Sequence, residues 1–401
     1  MKKTIIAATL AALSANTLAL DAPSTETVDR YTDTIGMTRT VKTAKTSYQN
    51  CGSAVQVNGS TVVVNPMRDS VLDTDNLQCA INTAQRNDIR LVQIKGNRDN
   101  DQYFMVNQPI VVEGWTGEIQ GVNMDKTLLI GQSEGPVFEV INSNLKISRM
   151  EIRGEMGIAM RPRQSRINSC QNDVSFLNVD RVSIESAYGV TDVGVAEDGC
   201  DSLLLGQLTV NRSEFDSGEV GVFVANAGAG FQLNSTFNYF YADPERRAVQ
   251  SGLVAIHSSV TANVSGNEFA FGEWSVYMGS DLENERPRSS WSITKNKVLS
   301  TSKDKLAAIG VYEENTVSVD ISSNNLSHVF ADSFWNNISI INNNFSKSRS
   351  EYWDVSIDGA TATVTANNRL DSIRLYGTFD STVNQPGVRT QYQYNENLLS
   401  R

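Results

Sequence analysis

Histidine, cysteine, proline and net positive charge are all scarce in this chain. Its 401 residues include two histidines, four cysteines and eight prolines. The two histidines, His257 and His328, lie far from every cysteine, and no Cys-x-x-Cys pair occurs, so the spacing of a structural zinc site is absent. Lys and Arg number 34 against 45 Asp and Glu, a net charge of −11, which argues against nucleic acid as a partner. An anionic ligand would need local basic patches. Beyond the N-terminus no apolar run is long enough to span a bilayer, so no membrane span is expected. No EF-hand spacing appears. No cofactor is evident, no metal site is expected, and calcium has no specific motif behind it.

The N-terminus is a clear signal. "MKKTIIAATLAALSANTLALDAP" has a basic start at Lys2 and Lys3, an apolar stretch from Thr4 to Leu13, and small residues up to Ala19. That is the layout of a secretory signal peptide over 1–20, cut after Ala19 or Leu20, and it predicts a secreted, periplasmic or cell-surface protein. Its removal takes away two lysines and leaves a charge of −11 − 2 = −13. For an exported chain, Cys51, Cys79, Cys170 and Cys200 suggest two disulfides. Local pairing, Cys51 with Cys79 and Cys170 with Cys200, joins residues 28 and 30 apart, and three connectivities are possible.

The strongest pattern is a repeat. The motif apolar-x-apolar, a few polar residues, Asn, x, large apolar recurs in "ANVSGNEFAF", "WSITKNKVLS", "SVDISSNNLS", "ISIINNNFS" and "TATVTANNRL". It sets Asn267, Asn296, Asn324, Asn343 and Asn368 in series, at steps of 29, 28, 19 and 25 residues. Looser copies place Ser213 and Ser235 at the Asn position. A second short strand follows each copy, as in "GLVAI", "SVYM", "AAIGV", "WDVSI" and "SIRL". The connections lack helical periodicity and are rich in Ser, Asn, Asp and Gly. Short strands at such a period read as a β-solenoid, whose inward residues stack into one apolar column. A β-sandwich would need a run of Asn-Gly or Asp-Gly hairpins between alternating strands; none is seen, and "IDGA" is isolated. Asn suits the turn because it tolerates the left-handed conformation and can bond the Asn of the next coil.

The stacked Asn positions, and the N-terminal stretch "DNLQCAINTAQRNDIRLVQIKGNRDNDQYFMVNQPIVVEGW", carry a resemblance. That stretch opens with Leu77, Ala80, Ile81 and Ala84 on one helix face and continues into buried-strand runs. Over roughly Asp75 to Asp380 the chain resembles the right-handed parallel β-helix, or pectate-lyase-like, superfamily. The resemblance implies an all-β, single-stranded solenoid of roughly 10–12 coils with an N-terminal capping helix. The expected organisation is a polar leader (21–50), the cap and first coils (51–110), the β-helix (111–380) and a C-terminal tail or cap (381–401).

Functional residues are expected outside one sheet. If Val254 and Ile256 point inward, His257 points out. The same register sets Arg161, Ala225, His257, Gly279, Tyr312, Asp358 and Tyr376 in one column, with Tyr277 in the next. Flanking loops add Arg163, Arg246, Arg247, Arg286 and Arg288. The expected chemistry is β-elimination on an acidic extracellular polysaccharide, with His257, Tyr277 or Tyr312 as base and the arginines, Arg161 included, binding carboxylates. Glycoside hydrolysis is the second choice for an enzyme. An acidic stretch, Asp192 to Asp201, reads as a solvated turn. Motifs of the known enzymes are absent, among them Gly-His-Gly and Asp-Pro-His-Asp, so no active site carries over. That absence also fits the alternative, a non-catalytic structural or adhesive solenoid. A monomer and a trimer both fit.

Overall fold

Alternation of apolar and polar residues over short runs makes strands here, and the spacing of the runs makes a coil. A computed structural model describes residues 28–32, 38–42 and 51–393, except 163–173, 194, 198–199, 203–204, 242–250, 271, 280–288, 303–305, 313–317, 333–336, 360, 366–367, 377–381 and 385–387. The signal segment and the C-terminal end of the tail lie outside these residues. Within the leader, Val28–Thr32 and Thr38–Lys42 pair as antiparallel strands.

Apart from an antiparallel hairpin, Val55–Asn58 with Thr61–Val64, and a short antiparallel pair, Val195–Glu197 with Cys200–Ser202, the remaining strands form a parallel β-helix with three ladders. The first ladder includes Leu205–Asn211, Phe231–Thr236, Val260–Ser265, Ser290–Thr294 and Ser318–Ser322, each paired in parallel with the next. The second is narrower and includes Tyr239–Tyr241, Glu268–Ala270 and Lys297–Ser300. The third runs from Ile110–Glu113 to Arg389–Gln393, and twelve strand segments stack in it. Longer strands such as Asn144–Arg161 serve all three ladders in one pass around the coil. Inward side chains form one apolar cluster from Val62 to Leu375. Within it Phe215, Phe240 and Phe269 stack at centroid distances of 4.9 and 5.0 Å.

One helix, α1 (Ser70–Arg86), closes the N-terminal end of the coil. The Asp69 carboxylate caps it by accepting from the Val71 and Leu72 N–H groups. Leu77, Ala80, Ile81 and Ala84 are buried, as their spacing predicts. An open β-helix end leaves strand N–H and C=O groups unpaired. Here α1 side chains pair them. Asp73 accepts from the Met105 N–H at 3.1 Å, Thr74 from the Asn107 N–H at 3.0 Å, and Gln78 exchanges two bonds with the Val111 backbone. A disulfide joins Cys51 to Cys79 on α1.

The corners explain the asparagines. Phe237, Gly266, Lys295, Ser323 and Asn342 have φ between 56° and 69°, the left-handed region, and each is followed by a buried Asn. At these five corners the left-handed turn therefore falls on the residue before the Asn, not on the Asn itself. The Asn turns inward and replaces the backbone bonds lost at the bend. Asn296 Oδ1 accepts from the Asn267 N–H at 2.9 Å and from Asn267 Nδ2 at 3.0 Å, while Asn296 Nδ2 donates to the Val264 carbonyl at 2.8 Å. The pattern repeats through Asn324, Asn343 and Asn368. It also begins one coil earlier than the sequence pattern places it. Asn238, not Ser235, is the corner residue before Asn267, and its Nδ2 donates to Asn267 Oδ1 at 3.0 Å. Ser235 lies in the preceding strand, opposite Val264.

Candidate functional site

Register decides which outward side chains share a site. In the third ladder Val254 pairs with Tyr277, and Ile256 pairs with Gly279, which pairs with Tyr312. His257 is thus one residue out of the column expected for it. Leu253 and Ala255 enter the main core, whereas Val254 and Ile256 join a separate apolar cluster with Met156, Ala159, Tyr188, Phe223 and Ala225. The reason is compositional. Ser251–Ile256 is buried at every position, so it shows no alternation from which to read its faces, and a slip of one residue exchanges them all. His257 instead occupies a corner, with φ 50°, as Asn142 (43°) and Asn226 (54°) do on other coils. Its N–H donates to the Gly279 carbonyl, and the next residue, Ser258, accepts from the Ala227 N–H at 3.1 Å.

Arg161 is also relocated. Its side chain is 2% exposed, and Nε lies 3.5 Å from the buried Glu139 carboxylate. A guanidinium held in that buried pair does not present itself to a surface carboxylate. Arg163, Arg246, Arg247, Arg286, Arg288 and Cys170 lie outside the described residues. Cys200 begins a short strand, Cys200–Ser202, paired antiparallel with Val195–Glu197.

Tyr277 and Tyr312 do come together. Their rings stack with centroids 5.5 Å apart. Trp274 joins them at 5.3 and 5.8 Å, and Phe330 lies edge-on to Trp274 at 6.3 Å. Gly310 makes this possible, since a Cβ there would sit 2.8 Å from the Trp274 ring and 2.9 Å from that of Tyr277. Aromatic rings thus lie against the outside of the sheet over consecutive coils.

The Tyr312 column continues into acid. Tyr312 is followed on the next coils by Asp332, Asp358 and Tyr376. Arg374 stands on the Tyr376 strand, its guanidinium 5.8 Å from the Tyr376 ring centroid. Burial raises the Asp358 carboxyl above the usual carboxylate range, and the Asp332 charge adds to that against the opposing pull of Arg374. Burial, then the charges of Asp332 and Glu273, push the Tyr312 phenol well up. Asp332 went unread in the sequence because the shortest repeat step, from Asn324 to Asn343, hides the strand Val329–Asp332. The signal was present in "HVFAD", an apolar-x-apolar strand ending in an acid.

His328, the other histidine, is buried beside this region. Its Nε2 accepts from the Arg349 N–H at 3.1 Å, which leaves Nδ1–H to donate to the Trp353 carbonyl at 3.0 Å. Phe330 stacks on the ring at 5.6 Å and Tyr352 meets it edge-on at 5.7 Å. Burial lowers its pKa. It is a support for the loop over Arg349–Trp353. Among the described residues, no group of three or more His, Cys, Asp or Glu converges as a metal site.

No protein-family profile matches the chain. No curated protein sequence matches it either. Among solved structures it is similar to the A-module of the Azotobacter vinelandii mannuronan C-5 epimerase AlgE4, at 13% identity over 79% of this chain and 92% of that one, with a TM-score of 0.43. It is similar to the Agl-KA catalytic domain at 11% identity, over 85% and 69% of the two chains, with a TM-score of 0.43. A third likeness is to ORF18 of Geobacillus virus E2, at 13% identity, 80% and 56% coverage and a TM-score of 0.35.

Proposed function

We propose that this chain is an exported protein that binds an extracellular polysaccharide along the outside of the third ladder and hydrolyses it between Asp332 and Asp358. One observation carries the reading: Tyr312, Asp332 and Asp358 stand on successive coils beside the Trp274–Tyr277–Phe330 aromatic group. Rings lying on a sheet offer sugar faces an apolar platform, and carboxylates bind their hydroxyls. Paired acids with unequal environments divide into acid and base. In this reading Asp358, whose carboxyl burial shifts upward, donates a proton to the glycosidic oxygen as its C–O bond breaks, and Asp332 attacks the anomeric carbon. Water then frees the sugar and returns the proton to Asp358. Neighbouring parallel strands lie about 4.8 Å apart. Asp332 and Asp358 are direct register partners on adjacent strands, an arrangement compatible with the paired carboxylates of hydrolysis with retention.

β-Elimination needs a deprotonated base beside a uronate. Tyr277 and Tyr312 are at the site, but burial and neighbouring acids keep the Tyr312 phenol protonated. Hydrolysis is therefore preferred. The Cys51–Cys79 disulfide supports export, because such bonds persist in oxidising compartments.

The test is to incubate purified protein with a panel of neutral and acidic polysaccharides, measuring both new reducing ends and ultraviolet absorbance. Reducing ends without absorbance, lost in Asp358→Asn, are expected. Absorbance from unsaturated ends would establish elimination instead. Binding without any product would leave a non-catalytic solenoid.

A further inference from the structure

The outside of the first ladder has a different chemistry. Its strands alternate strictly, with Leu233, Ala262, Val264, Ile293, Val319 and Ile321 inward. Over its seven strands from residue 207 to 365 the outward residues are mostly short, polar and uncharged, whereas the earlier strands carry Glu118, Lys146 and Asp180. Thr261, Asn263 and Ser265 on one coil register with Ser290, Ser292 and Thr294 on the next. The pattern holds for seven strands between residues 207 and 365, three outward positions on each. Of those 7 × 3 = 21 positions only Asp320 is charged, in a chain whose residues are 20% charged. Ile341 is the one apolar exception.

The positions form a lattice. Strands lie about 4.8 Å apart, and alternate residues along each about 6.6 Å apart. Neighbours also hold one another. Ser290 and Ser318 hydroxyls are 2.8 Å apart, Thr294 donates to Ser265 at 3.1 Å, and Gln207 donates to Thr209 at 2.7 Å. These bonds hold the rotamers of the residues that make them in advance, which lowers the entropic cost of binding there. Each hydroxyl or amide both donates and accepts, so the lattice matches another surface made of hydroxyls.

We propose that this face docks onto the ordered surface of a neutral, polyhydroxylated glycan fibre. Charge selects the occupant. With Asp320 as the one charge in 21 positions, this stretch offers a charged polymer little to pair with. A neutral fibre escapes repulsion from a chain of net charge −11. Regularity selects it as well, because a periodic array over seven coils serves a periodic partner rather than a discrete small molecule. The face is separate from the third-ladder site and does not depend on cleavage there.

The test is cosedimentation of the full chain with microcrystalline cellulose and with crystalline chitin, at low and high salt. Retention on a fibre, little changed by salt, is expected. Asn263→Lys and Thr363→Lys each place a bulky charge on the face and should weaken retention about tenfold or more. Unchanged urea midpoints will show that both variants fold. Asp358→Asn should keep full retention, which separates this proposal from the one for the third ladder. No retention on either fibre, or retention unaltered by both lysine variants, overturns it. Inhibition of ice growth without fibre retention also overturns it, and would make ordered water the occupant.

Discussion

The outsides of the first and third ladders stand on the same coils and share one strand spacing, yet they are built for different partners. On seven strands of the first, Thr, Ser, Asn and Gln repeat with little interruption. On the third, rings and acids of unequal size follow one another over five successive strands, from Trp274 to Tyr376. Regularity suits a surface, and irregularity suits a site. The backbone supplies the distances in both cases, and the outward side chains alone choose the chemistry.

The sharpest way to break the comparison is Asp358→Asn. Loss of a general acid should lower hydrolysis by about 10²–10⁴-fold, while fibre retention on the first ladder stays intact. A loss of both would mean that the two faces act as one site. Asn296→Ala should do the opposite and weaken both faces together, because both rest on the same corners. It removes the acceptor of two Asn267 N–H bonds and strands the Val264 carbonyl. Each buried group left unpaired costs about 1–3 kcal/mol, so urea unfolding should show a loss of about 3 kcal/mol or more.

The smallest effect expected is on pH. Burial lowers the His328 pKa in the folded protein, so the unfolded chain takes up a proton first, near pH 6.5. The stability linked to neutral His328 is complete above about pH 6.5 and is lost as pH falls through the lowered folded value. Protonated Nε2 would also face the Arg349 N–H it now accepts. Unfolding midpoints should therefore fall between pH 7 and pH 5, less steeply in His328→Gln. The change should centre on the Arg349–Trp353 loop beside the third ladder and spare the first. Equal pH slopes for the two proteins would assign the acid sensitivity elsewhere.

How much of this was legible in the sequence depended on alternation. Val260–Ser265 and Ser290–Thr294 alternate cleanly in burial, and the apolar-x-apolar motif falls on both. The Asn repeat also read well, because a buried polar residue at a fixed bend has few substitutes. Ser251–Ile256 does not alternate, and there the reading slipped by one residue and brought His257 into a column it does not occupy. Arg161 looked like a surface cation because sequence cannot show that Glu139 lies beside it in a buried pair. The Asp332–Asp358 neighbourhood was hidden for a related reason, since a 19-residue step between Asn324 and Asn343 masks one strand of the third ladder.

By itself, the sequence determined the coil. A recurring strand, Asn and apolar residue can bury its column only by stacking on another copy of itself, and α1 carries the spacing of a helix that covers one end. Tertiary structure alone decided which outward residues became neighbours. Steps of 19 to 29 residues carry loops of different lengths, so sequence distance says little about who meets whom on the next coil. Backbone pairing between coils sets that register, and it set Tyr312, Asp332 and Asp358 side by side.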